Sequence, residues 1–317
     1  MAERSRDASG AGIASGLESR LRRYRDLRLT EEELATLLLM PVLLFLGVVS
    51  FYPIVDTVWA SLQDGYIIGT SAEFVGPENY EALFDDGRFW NALGVSFIYT
   101  FVSVPIELGI GLGLALLLNR KFHGKYLAQA AILFPWALPT VINAEIWSWL
   151  FHGQFGVIND MLVRVGLLET AYPILAKPDI ALAAMISVTI WKTSSFMALI
   201  LLAGLTGIPE HLYEAARMDG ASNWRQLRDI TLPLLKPTIL VALIFRTLPA
   251  IQAFGLPYGL TNGGPAEATT TIVLFTHSIT FNNLEFGVGS ASATAITVIG
   301  LALSLFYVAT LYEPEVR

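Results

Sequence analysis

Six predominantly apolar stretches of twenty or more residues recur along the chain, at about 34–61, 91–119, 126–151, 180–205, 237–258 and 288–312. At 1.5 Å of rise per residue, each is long enough to cross a hydrocarbon layer of about 30 Å. Backbone polar groups in hydrocarbon must be satisfied within the segment, and these runs are too continuous for barrel strands of about 10 alternating residues. The pattern predicts an all-α integral membrane protein with about six transmembrane helices. Polar stretches divide them: a basic N-terminal segment over 1–33, a long loop over 206–236, a loop with a short helix over 270–286 and a tail over 313–317. The first span opens on Thr30-Glu31-Glu32-Glu33, the spacing of a capping box. In the second, Gly109 and Gly113 form a small-residue pair, with Gly111 between, that invites close helix packing.

Composition agrees with a nonaqueous surrounding. The chain is 54% hydrophobic and 15% charged, against roughly 25% charged for a soluble domain. With no cysteine, disulfides, iron–sulfur clusters and thiol nucleophiles are excluded. His123, His152, His211 and His277 lack metal-ligand spacing, and no nucleic-acid-binding footprint is present. Charge placement says more than the net value of −7. Lys and Arg number seven in 1–33, three in 120–125 and four in 206–236, whereas the intervening loops hold only Arg88, Arg164 and Lys177. That bias predicts that the first three stretches, and with them both termini, face the cytoplasm in a multi-pass membrane protein. Residues 1–33 lack the apolar core of a cleavable signal peptide. Leu17, Leu21 and Tyr24 at helical spacing among arginines suit an anionic membrane surface and equally a solvated tail.

The 206–236 loop is more defined than a connector requires. Pro209 suits a first helical turn, Gly220 a left-handed stop, and Ser222 the cap of a second helix ending before Pro233 and Pro237. Leu212, Ala215 and Ala216 fall on one face, where small side chains let a helix sink into a partner's groove, with Glu214 and Arg217 free for polar contacts. Glu214-Ala215-Ala216, Gly220 and Ile230-Thr231-Leu232-Pro233 resemble the EAA coupling loop of ABC importer permeases. Phe74-Val75-Gly76 with Asn79-Tyr80, Phe134-Pro135-Trp136 with Pro139, Leu260 to Pro265, and Ile190-Trp191-Lys192-Thr193 resemble the sugar-permease branch, notably maltose and trehalose importers. The resemblance covers about 34–312.

It implies that Glu214, Ala215, Ala216, Asp219 and Gly220 couple the bundle to an ATPase. It also implies partners: a second permease subunit in a heterodimer, two copies of the ATPase subunit, and an extracytoplasmic solute-binding protein delivering sugar. No phosphate-binding loop is present, since Gly124-Lys125 is followed by Tyr126. The chain is therefore expected to bind no cofactor, with ATP and Mg on the separate ATPase, and to be a transport subunit rather than an enzyme.

Intramembrane ionisable groups default to functional hypotheses, here Asp56, Glu107, Glu145, Lys192 and Arg246, with Asp56 close to the outer interface and solvated there. Glu107 could pair with Lys192 or Arg246. Sugars require hydrogen-bonding groups beside an aromatic face. By the resemblance, fourth-span contacts fall on Thr189, Lys192, Thr193 and Phe196. Fifth-span contacts fall on Arg246, Pro249, Ala250 and Ala253, with Gln252 beside them. Asn143, Glu145 and Trp147 follow Pro139, which can bend the third span. The expected cargo is a disaccharide such as trehalose or maltose, with glycerol phosphate, oligosaccharides and polyols as alternatives. An ion-coupled secondary transporter would explain the buried charges but not the EAA loop. A membrane hydrolase would need a GxSxG turn or HExxH helix, and neither occurs.

Overall fold

The computed structural model describes residues 30–65, 72–167 and 169–311. Contacts divide the chain into two units, ending at Thr57 and beginning at Val58. In the first, helix α1 (Glu31–Leu46) begins at the capping box, with Glu33 N–H donating to Thr30 Oγ1 (3.3 Å) and Thr30 N–H to Glu33 Oε2 (3.0 Å). A π turn over Gly47–Phe51 joins it to α2 (Tyr52–Ala60), giving one apolar helix of 29 residues.

The second unit contains α3 (Glu78–Asp85), α4 (Gly87–Asn119), α5 (Lys125–Ala137), α6 (Thr140–Leu150), α7 (Val157–Arg164) and α8 (Pro178–Thr206). After these come α9 (Glu210–Met218), α10 (Asn223–Gln226), α11 (Leu232–Ile251), α12 (Gly255–Thr261), α13 (Ile272–His277) and α14 (Phe286–Leu311). One two-residue hairpin pairs β1 (Gln63–Asp64) with β2 (Glu73–Phe74). Among the described residues, five helices are long and apolar enough to span a bilayer, six if α5 and α6 count as one bent span.

Three elements differ from expectation. The fifth span, expected to reach Tyr258, stops at Ile251, and a separate helix starts at Gly255 after Phe254 leaves the helical conformation (φ −124°). The single helix expected over 126–151 is two, bent by 92° between Ala137 and Thr140. Pro139 has no N–H to continue the hydrogen-bond ladder and its ring excludes the α conformation from Leu138, which is extended at ψ 132°. The second helix of the 206–236 loop does not end before Pro233. It runs on as one helix from Asn223 to Ile251 through a π turn at Leu227–Thr231. There Leu232 N–H reaches back five residues to the Leu227 carbonyl, and this wider turn lets the chain continue past a proline.

The central seam is α4 against α8. Tyr99 meets Thr189 and Gly111 meets Met197, so both sequences advance in the same direction and the helices are parallel. A Cβ added at Gly111 would lie 2.5 Å from Met197 Cβ, whereas Gly109 and Gly113 face open space. Close approach is therefore made by the middle glycine, not by the pair. Gly259 serves α12 similarly, its added Cβ falling 2.9 Å from Ala144 on α6. Because α4 and α8 are parallel, loops 120–125 and 206–236 emerge at one end of the bundle. The other end holds the start of α4 and α13, where Phe89 packs on Phe275 and Ile272 N–H donates to Ser96 Oγ (2.8 Å).

Candidate functional site

Along α4, Ser96, Thr100, Ser103 and Glu107 are all fully buried at helical spacing, a polar stripe inside an apolar span. Its last member is an ion-pair partner: Arg246 on α11 donates from Nε to Glu107 Oε2 (2.5 Å) and from Nη2 to Oε1 (3.0 Å). This two-pronged geometry fixes both side chains in a plane. Glu107 takes Arg246 of its two possible partners, leaving Lys192 elsewhere. From α8, Lys192 Nζ donates to the carbonyls of Leu138 (2.6 Å) and Trp136 (3.2 Å). Those carbonyls stand at the α5/α6 break, where no N–H of an unbroken helix serves them. The lysine thus ties α8 to the bend that Pro139 creates, with its cation against the negative end of α5. No carboxylate lies within salt-bridge distance of Lys192 among the described residues.

Between these groups lies a cavity of about 340 Å³ bordered by α4, α6, α8, α11 and α12. Of the sequence-expected residues, Thr189, Lys192, Thr193, Arg246 and Gln252 line it together, as do Pro249 and Ala253. The others lie outside. Ala250 is fully buried, and Glu145 is exposed. Phe196 stacks on Trp136 at 5.5 Å between ring centres. Asn143 is wholly buried, and neither polar atom of its amide has a partner among the described residues. Sequence reasoning does not single out Tyr99 and Phe254, which also line the cavity. Tyr99 hydroxyl is hydrogen-bonded to Thr189 Oγ1. The buried stripe on α4 was the available signal, since Tyr99 sits within it. No cluster of three or more potential metal ligands occurs among the described residues.

At the far end of α8 the 206–236 segment is built from local chemistry. Helix α9 closes with Ala221 N–H donating to the Ala216 carbonyl (2.9 Å) and Gly220 N–H to Arg217 (3.1 Å). Gly220 has φ +74°, the left-handed stop that glycine adopts without a steric penalty. Ser222 Oγ then accepts from Arg225 N–H (3.3 Å) to start α10. Tyr213 hydroxyl bonds to Thr231 Oγ1 (3.0 Å) and ties the two limbs. Glu214, Ala215, Asp219 and Gly220 are exposed, while Leu212 and Ala216 turn partly inward. The outward face therefore excludes Leu212 and adds Met218 and Trp224, which are 88% and 70% exposed.

Residues 82–317 match the family model described as the binding-protein-dependent transport system inner membrane component. The chain is 43% identical to a sulfoquinovosyl glycerol transport system permease protein of Agrobacterium fabrum, over 92% of this chain and 94% of that one. It is 38% identical to a trehalose/maltose transport system permease protein of Thermococcus litoralis, over 89% and 94%. The crystal structure of a bacterial ABC transporter involved in import of the polysaccharide alginate superposes with a TM-score of 0.76 at 23% identity, over 90% of this chain and 96% of that one. That likeness is one of fold. The protein is thus a multi-pass inner-membrane permease of the binding-protein-dependent ABC sugar importers, a transport subunit and not an enzyme.

Proposed function

We propose that this permease passes a disaccharide-sized sugar, such as trehalose, maltose or a glycosyl glycerol, through the cavity between α4, α8 and α11. The observation that carries the reading is the convergence there of Thr189, Lys192, Thr193, Arg246 and Gln252 from separate elements beside Tyr99 and Phe254. Its volume, about 340 Å³, falls in the roughly 300–1,000 Å³ range of small-ligand sites. Hydroxyl-directed donors and acceptors next to aromatic rings suit a carbohydrate. Lys192, which has no carboxylate partner among the described residues, favours a second reading in which the glycoside carries an acidic group. Glu214, Ala215, Asp219 and Gly220, with Ala216 behind them, present the outer face of α9 to an ATPase subunit. The working assembly is a heterodimer with a second permease, two ATPase subunits that hold ATP and Mg, and a binding protein. In it, loops 120–125 and 206–236 and both termini face the cytoplasm.

The test is uptake by the reconstituted assembly with its binding protein, across neutral disaccharides, glycosyl glycerols and their sulfonated counterparts. ATP-dependent uptake of a disaccharide-sized sugar, lost in Lys192→Met, is the expected result. Uptake that continues on an ion gradient without ATP, or accumulation of only a non-sugar solute, refutes it.

A further inference from the structure

A second cavity, of about 510 Å³, is larger than the first and lies at the end of the bundle away from the coupling segment. Arg88 at the start of α4, Tyr258 on α12, Asn262 at its C-cap, Glu267 in the following turn, His277 at the end of α13 and Asn282 beyond it border the cavity. Asn282 Nδ2 donates to Ser278 Oγ (3.3 Å), but other polar groups of the lining keep free positions for a ligand. Arg88 commits Nε and Nη2 to Asp86 (3.1 and 2.8 Å), leaving Nη1. Among the described residues, no hydrogen bond occupies the side chains of Glu267 or Asn262. The turn that presents Glu267 holds Ala266 (48°) and Glu267 (59°) at positive φ, whereas Asn262 (49°) makes an ordinary left-handed helix cap. Left-handed backbone costs a non-glycine residue roughly 1–2 kcal/mol, and such strain concentrates at ligand clamps.

Aromatic surface joins the two cavities. Phe254 lines the inner one and stacks on Tyr258, which lines the outer, at 5.2 Å and 20°. His277 touches both rings, at 5.1 Å from Phe254 and 6.0 Å from Tyr258. A pyranose can rest its C–H face on such rings while its hydroxyls meet the carboxylate, amide and guanidinium. We propose that the outer cavity is a second carbohydrate subsite, which holds a glycoside before it moves along the Phe254–Tyr258–His277 ring surface to the inner cavity. This rests on the sugar reading of the inner cavity and adds a site that reading does not require.

Binding of tritiated trehalose and tritiated maltose to the purified assembly, without its binding protein, tests it. Two sugar sites per permease are expected. Tyr258→Ala and Glu267→Gln each lose one or weaken it by about tenfold, in line with loss of one aromatic or charged contact, while Lys192→Met loses the other. Tyr258→Phe retains both, which separates loss of the ring from misfolding, and Glu267→Gln alters an exposed turn. A single site, lost in Lys192→Met and unchanged in Tyr258→Ala and Glu267→Gln, overturns the outer subsite and leaves the inner reading intact. Unchanged sugar sites with weakened docking of the binding protein would make this a protein-docking surface and equally overturn it. No sugar site in the wild type, together with no sugar uptake, defeats both.

Discussion

Removing the Glu107 carboxylate should be among the most damaging single changes to the membrane bundle. Its side chain is fully buried, its partner Arg246 is only 7% exposed, and two hydrogen bonds of 2.5 and 3.0 Å join them. Glu107→Ala strands a guanidinium that is always protonated, in an environment where water cannot repay the lost contacts. Breaking one half of such a pair costs about 3–5 kcal/mol, whereas replacing both halves by apolar groups of similar volume is close to neutral. A loss of this size corresponds to a fall in melting temperature on the order of 10 °C. The assay is heat treatment of the detergent-solubilised protein followed by size-exclusion chromatography, for Glu107→Ala, Arg246→Met and the Glu107→Leu/Arg246→Met pair. Both single variants should melt early and the double variant should recover most of the loss. Because Arg246 also lines the inner cavity, the recovered double variant should still lose uptake. If Glu107→Ala melts with the wild type, the pair does not hold α4 to α11 and the reasoning fails.

Two further outcomes follow from backbone geometry, each checked by melting or uptake. Gly111→Ala should destabilise by about 1–3 kcal/mol, because its Cβ meets Met197 at 2.5 Å and a packed seam resists added volume; Gly109→Ala, facing open space, should be silent, and equal melting of the two would refute the seam. Gly220→Val forces a β-branched residue to φ +74°, at a local cost of roughly 1–2 kcal/mol or more, and should leave ATP hydrolysis running while uptake falls; full uptake at normal expression would refute a coupling role.

The spans are legible in the sequence because hydrocarbon thickness demands a length that few other structures use. The capping box at Thr30 and the stop at Gly220 are legible because their chemistry is local. What escapes is the result of contacts between distant segments. Pro139 announces a bend, but neither its 92° size nor Lys192 standing opposite to take the freed carbonyls can be read from local sequence. Tyr99 reads as one more aromatic in an apolar run until Thr189 is brought to its hydroxyl. Phe196 has the right composition for a sugar platform, yet Trp136 already covers it. Pro233 suggests a helix end, and only the π turn before it shows how the helix continues.

That continuous helix has a mechanical corollary. From Asn223 to Ile251 there are 29 residues in one helix, carried through the π turn at Leu227–Thr231 and past Pro233, Pro237 and Pro249, a strut of roughly 43 Å. Trp224 stands at its exposed foot and Arg246 near its head. Tilting such a strut about its midpoint by some 10° displaces each tip by roughly 4 Å, in opposite directions. A displacement at the foot, as far as the π turn and the prolines pass it on, would reach the inner cavity as a sideways shift of Arg246.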